Sequence, residues 1–304
     1  MKINNTYLIL CCVLIIYIIV LTVCMANKKT LYELTHKNNF GVYFNENKFL
    51  PKKNIKRYWY LVKKGYVIMK NTDIVIGGLF VNSSKIFNKF KLRIENLMKL
   101  FRSVKCVFFE NDSTDNSRIL LLDWEKNNPN IHIIRCEENN FCLLKATPAV
   151  TEGHISEKRM KKMVKYRNIL LNYIKYNFQT IPYVAIIDTD LKGPISFDGI
   201  AHSFGIEPEL NWDMISAYGI NGLILTLNNF IYYDGLALKT SDYNTSFMNN
   251  FSFTKSINFI KLYIKYIYGL KRGDEPIQVK SAFCGFSLYK MDSRLAEKLN
   301  YNTF

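Results

Sequence analysis

The sequence predicts an α/β fold: a mostly parallel central sheet flanked by helices, with a transmembrane helix at its N-terminus. Two observations carry the fold class. From about residue 71, short apolar runs of strand length alternate with segments of helical period, and that alternation builds a largely parallel sheet. The chain has 304 residues, 49% of them hydrophobic, which is ample for one sizeable core. A third observation adds the membrane helix. Residues 7 to 26, "YLILCCVLIIYIIVLTVCMA", contain no charge and are long enough to cross ~30 Å of hydrocarbon.

Taken in order, residues 1–26 are expected to form a membrane anchor. A cleaved signal peptide is the competing reading, but its apolar region is usually shorter and "CMANKK" is a poor cleavage site. Lys2 on one side and Lys28 and Lys29 on the other leave the orientation open. Residues 27–72 are rich in Lys, Asn and Tyr without a clear period, and read as a stem leading into the domain. The domain itself is expected over 73–304. "DIVIGGLFV" (73–81) reads as a strand and "IFNKFKLRIENLMKLF" (86–101) as an amphipathic helix. "VKCVFFE" (104–110) is a strand, and "TDNSRILLLDWEK" (114–126) a helix capped by Ser113 or Thr114. "NIHIIRC" is a further strand, a long helix lies within 155–178, and "YVAIID" closes the series. No repeat of 20 to 50 residues is visible.

Charge and cysteines narrow the function only partly. A net charge of +16 suits phosphates or an acidic membrane surface, although abundant Lys, Asn and Ile together also fit AT-rich coding. No dense basic run alternates with aromatics, so nucleic acid is not an expected partner. Cys136 and Cys142 are close enough in sequence to bridge if the domain is lumenal; free, buried thiols are the other reading. No CxxC pair or Cys/His cluster suggests zinc.

Chemistry enters at the strand ends. In open sheets of this kind, ligands bind outside the carboxyl ends of the strands. Two acidic clusters fall there: Glu110-Asn111-Asp112 and Asp188-Thr189-Asp190. Five apolar residues, Tyr183 to Ile187, run straight into the second cluster, so two like charges end a buried strand. A divalent cation with a diphosphate would relieve that repulsion, because Mg²⁺ and Mn²⁺ accept few carboxylates and complete their shell with phosphate oxygens. In "RMKKMVKYRNILLNYIKYNF", Arg167 falls on the stripe formed by Met160, Met163, Val164, Leu171, Ile174 and Phe178. An arginine on a buried face needs an anionic partner, and the acidic clusters offer one. An arginine whose stem runs along the surface to water is the alternative.

"FFENDSTDNS", "YRNILL" and "YVAIIDTDL", in this order, resemble the GT-A glycosyltransferases, a Rossmann-like fold. The likeness is greatest to family-2-like and cryptococcal-capsule (mannosyltransferase-like) types. "WDMISAYGIN", "YYDGLAL" and "SAFCGFSLYK" are similar to later parts of that pattern, so the resemblance spans about residues 73 to 290. It implies transfer of a sugar from a nucleotide-sugar donor, assisted by Mn²⁺ or Mg²⁺, to a glycan, protein or lipid acceptor that it does not specify. Carried onto this chain, Glu110 would contact the donor's base or ribose, with Asp112 assisting. Arg167 would brace the nucleotide pocket and the DTD loop. Asp188 would face the ribose or the metal, and Asp190 would bind the metal. "SAFCGF" would form a hairpin floor near the acceptor. Together with the anchor, it implies a single-pass membrane enzyme, of an endomembrane compartment such as the ER or Golgi if the domain is lumenal.

One departure from the pattern matters. Related enzymes continue into a late acidic or His-bearing segment, whereas here fourteen residues follow Lys290 and no His lies beyond His202. Either Asp190, phosphates and water hold the metal, or the chain is a shortened, inactive relative that binds a nucleotide sugar or a partner. For the acid that would activate an acceptor hydroxyl, Asp234 in "YYDGLAL" and Glu275 in "KRGDEPIQ" are the candidates, with Asp274 beside the latter. An acid that caps a helix starting near Gly235 is the structural alternative for Asp234.

Overall fold

The structure, a computed structural model, describes residues 43–47, 49–135, 157–191, 193–226, 229–232, 234, 237–242, 265–266 and 270–291. The expected anchor at 7–26, residues 27–42 of the expected stem, and the Cys136 and Cys142 pair lie outside the described residues. Among the described residues no helix is long and apolar enough to cross a membrane.

The elements follow the expected alternation. They run α1 (Ile55–Lys70), β1 (Asp73–Phe80), a 3-10 turn (Ser84–Ile86), α2 (Phe87–Met98), β2 (Ser103–Glu110), α3 (Ser117–Asn127) and β3 (Ile131–Arg135). Then come α4 (Glu157–Asn177), β4 (Tyr183–Asp188), α5 (Phe197–Leu210), β5 (Met214–Ser216), β6 (Ile220–Thr226), β7 (Asn229–Tyr232) and β8 (Phe286–Lys290). Two compact units divide the chain. One comprises Gly41–Glu46, Lys56–Ala217 and Gly285–Phe304; the other comprises Met1–Phe40, Asn47–Ile55 and Tyr218–Cys284.

The first unit holds a six-stranded sheet of order β3-β2-β1-β4-β8-β5. The first four strands are mutually parallel, while β8 runs antiparallel to both β4 and β5. The central strands are buried on both faces, as their continuous apolar runs require: β1 shows five consecutive buried residues and β4 four. Phe80, Phe90, Phe108 and Trp124 pack edge to face or stacked in one aromatic cluster of the core.

Two departures from the expected elements have physical causes. Residues 55–70, read as a stem without a period, form α1 with Tyr58, Leu61, Val62, Gly65 and Met69 buried. Its period is carried partly by a glycine, which a hydrophobic pattern does not count. A Cβ on Gly65 would lie 1.7 Å from the Ala201 carbonyl oxygen, and one on Gly205 would lie 2.0 Å from that of Leu61. Backbone-to-backbone approach of α1 and α5 therefore depends on that glycine pair. Helix α3 begins at Ser117 rather than 114: Asp115 accepts from the Ser117 amide at 2.9 Å and holds the chain before it in a turn, while the N-cap is Asn116, without a side-chain capping bond, and not Ser113 or Thr114.

In the second unit β6 and β7 form an antiparallel pair. Lys53 ion-pairs with Asp274 at 2.9 Å, and Arg272 donates to the Phe49 carbonyl at 2.7 Å. Asp242 accepts hydrogen bonds from Thr240 and Tyr266, each at 2.7 Å, and these bonds hold its carboxyl well below the usual carboxylate range.

Candidate functional site

The carboxyl ends of β2, β1 and β4 lie side by side and in register. Phe80 of β1 pairs with Glu110 of β2, and the preceding Leu79 pairs with Asp188 of β4. Both acidic clusters thus reach the same edge of the sheet, separated by the single strand β1, roughly 10 Å across at the usual strand spacing.

Helix α4 contacts both ends. Tyr166 hydrogen-bonds Asn111 beyond β2, and Arg167 Nη2 lies 3.6 Å from Asp188 Oδ1 at the end of β4. Burial is the main cause that raises the Tyr166 phenol above its ordinary value. The buried stripe of α4 runs through Tyr166, Leu170, Leu171 and Ile174, so Arg167 sits at its margin, half-buried, rather than at its centre. Tyr166 takes the central place because its ring packs on Phe109 of β2, 5.3 Å between centroids.

The DTD loop is fixed on several sides. Thr189 is buried and donates its hydroxyl to the Leu79 carbonyl at 2.6 Å. A Cβ on Gly78 would meet the Thr189 methyl at 2.8 Å, so β1 needs its glycine there to admit the loop. The Asp188 amide donates to the Gly285 carbonyl at 2.9 Å. Gly285 itself has φ +81 and leaves space that the Leu191 side chain fills, 2.9 Å from a hypothetical Cβ. Arg93 of α2, 2% exposed, donates to the Leu191 carbonyl at 2.6 Å, and burial lowers its guanidinium to about 10. With the turn so held, Asp190 is exposed and Asp188 half-buried.

The loop after β2 is organised around Glu110. Glu110 is fully buried, and both of its oxygens are engaged: one accepts from the Ser113 amide at 2.7 Å, the other from Arg118 Nε at 2.7 Å. These bonds anchor the loop, and a direct contact from Glu110 to a donor's base or ribose would compete with them. Arg118 also reaches Asp112 at 3.1 Å. Asp112, at φ +47 and with its side chain 35% exposed, is the more accessible carboxylate of the pair. Asp115 ties this loop to the end of β1 through the Ser84 amide at 3.0 Å. Burial opposes its ionisation, but the bonds from Ser117 and Ser84 hold the carboxyl down at about 2.

Asp234 and Glu275 belong to the other compact unit. Asp234 is half-buried and accepts from the Ala237 amide at 3.3 Å, which closes a turn. Glu275 is exposed, and Asp274 beside it is committed to Lys53 and to the Lys271 amide. Cys106 and Cys284 are free, buried thiols.

A divalent cation suits the residues present at the end of β4. Among the described residues no three His, Cys, Asp or Glu side chains converge on one point. Asp188 and Asp190, on a fixed turn with one of them exposed, are hard oxygen donors of the kind that Mg²⁺ or Mn²⁺ takes in small number when phosphate oxygens supply the rest.

No protein-family model matches the sequence, and no curated protein matches it significantly. Similar solved structures exist. One is S. aureus TarS 1-349, at 13% identity and TM-score 0.39, covering 76% of this chain and 50% of that one. Another is the mannosyltransferase PcManGT from Pyrobaculum calidifontis in complex with GDP-Man and Mn²⁺, at 12% identity and TM-score 0.33, covering 65% and 47%. TarS 1-349 in complex with UDP-GlcNAc is similar at 18% identity and TM-score 0.31 over 50% and 36%. The chain thus spans half or less of the length of these structures. All three TM-scores fall below 0.5, so the fold stands on the strand order and register given above.

Proposed function

We propose that this protein is a metal-assisted glycosyltransferase of the GT-A type, related to the capsule-type enzymes and held in a membrane by residues 7–26 as a single-pass protein. One observation carries the reading: Asp188-Thr189-Asp190 ends a buried parallel strand beside the Glu110 loop, and Arg167 is paired to its first aspartate. The site and the sequence resemblance support this function, and the sheet alone does not, since many unrelated activities share such sheets.

In this reading Asp112 and Arg167 orient the nucleotide, while Glu110 keeps the Asp112 loop in shape through Arg118. Asp190 and Asp188 would hold the cation. Bound there, a divalent cation supplies Lewis-acid stabilisation of the departing diphosphate. Arg167 shields Asp188 from its neighbour's charge when the site is empty of donor. Asp234 or Glu275 is proposed to take the acceptor hydroxyl's proton if the reaction inverts.

The test is release of nucleoside diphosphate by the full chain across a panel of nucleotide-sugar donors with Mn²⁺. Turnover of at least one donor supports the proposal. Metal-dependent nucleotide binding without release from any donor would favour the catalytically silent binding protein.

A further inference from the structure

The outward side of α1 carries a pattern that the proposed reaction does not use. Lys56, Tyr60, Lys63, Val67 and Lys70 fall at i, i+4, i+7, i+11 and i+14, a single line along the helix. At 1.5 Å per residue the line is about 21 Å long. All five residues are exposed, including Tyr60 at 63% and Val67 at 65%. The helix contains no Asp or Glu. Its other two basic residues before Lys70, Arg57 and Lys64, face Glu209 at 2.7 and 4.0 Å, so the acid on the flank is already matched. Among the described residues Lys56, Lys63 and Lys70 have no ionic partner.

A tyrosine and a valine set along one line of lysines suit a bilayer interface. Tyrosine rings favour the headgroup level, lysine stems lie along apolar surface with the ammonium in the polar layer, and basic side chains gain from anionic lipid. Nucleic acid fits less well, because a valine offers no face for stacking. A second copy of the chain fits less well too, because a two-fold pairing sets one lysine line against another.

We propose that this face of α1 lies on an anionic bilayer surface, with Tyr60 and Val67 among the headgroups and the three lysines on lipid phosphates. The inference rests on the helix face alone and stands or falls separately from the anchor and from the glycosyltransferase reading.

The test uses the full chain carrying an environment-sensitive fluorescent amino acid in place of Val67. It is mixed with preformed nanodiscs of phosphatidylcholine alone or with phosphatidylglycerol. The expected result is a blue shift in the anionic discs that is absent in the neutral ones. High salt or the triple variant Lys56→Gln, Lys63→Gln, Lys70→Gln should abolish the shift, with the thermal melting temperature unchanged. An equal shift in neutral discs, no shift in either, or a lipid-independent shift that grows with protein concentration would overturn the proposal. Nucleotide affinity measured in the same samples reports on the donor site independently.

Discussion

Arg167 and Asp188 face one another at 3.6 Å, joining the middle of a long helix to the end of a central strand. Its chain neighbour Tyr166 reaches the loop after β2, so two consecutive helical residues contact the two acidic strand ends. The side chains of the ion pair are 21% and 31% exposed, a setting in which such pairs add little to stability. Their effect is expected in binding.

Replacing Arg167 should show that separation. Arg167→Met keeps the helix packed, so its melting temperature should move little, while affinity for a nucleoside diphosphate should fall about tenfold or more for a lost charge-assisted contact. Calorimetric titration beside thermal melting measures both. Unchanged nucleotide affinity with a large loss of stability would make Arg167 a structural residue.

Glu110 and Arg118 should behave in the opposite way. Arg118→Met leaves a carboxylate with no exposure and no cationic partner, and should cost about 3–5 kcal/mol. Adding Glu110→Gln to that variant removes the stranded charge and should restore part of the loss. Urea denaturation of the two single variants and the double one tests this; additive losses would contradict the coupling.

Asp115 gives a pH dependence whose sign is fixed. Its carboxyl is held at about 2, below its unfolded value, so its contribution is complete above about pH 4 and is lost as pH falls toward 2. The stability difference between the wild type and Asp115→Asn should therefore be steady near neutrality and shrink through that acid window. A difference that does not shrink between pH 4 and 2 would contradict the hydrogen bonds to Ser84 and Ser117.

Asp234 tests the acceptor side. Asp234→Asn should lower sugar transfer by ~10²-fold or more, the range for a lost acid–base group, while nucleotide binding persists. Unchanged transfer in Asp234→Asn with loss in Glu275→Gln would move the role to the loop acid.

Much of this arrangement was legible in the chain. Strand β4 is legible because its apolar run is too long to leave exposed, four of its five residues being buried, and the acids after them mark where burial stops. The apolar period of α4 places Arg167 on its stripe, whereas the side chain lies at the margin of the buried face, half-buried. Arg93 was not legible. In "KLRIENLM" it reads as an ordinary solvated arginine, and its burial is decided by the Leu191 carbonyl 98 residues away. Arg118 escaped notice for a similar reason: nothing local says that it folds back eight residues to seal Glu110. Helix α1 was hidden by its glycine, whose value lies in what a Cβ would strike on α5. Periodicity reports burial of side chains; it does not report backbone approach or pairing at a distance.

The proposed reaction depends on the two aspartates of the DTD turn holding a metal for departure of the diphosphate. The direct measurement is Mn²⁺-dependent release of nucleoside diphosphate from the productive donor by the wild type and by Asp190→Asn. Turnover in the variant should collapse, with its melting temperature preserved because Asp190 is exposed. A variant that releases nucleotide at the wild-type rate in Mn²⁺ would contradict it.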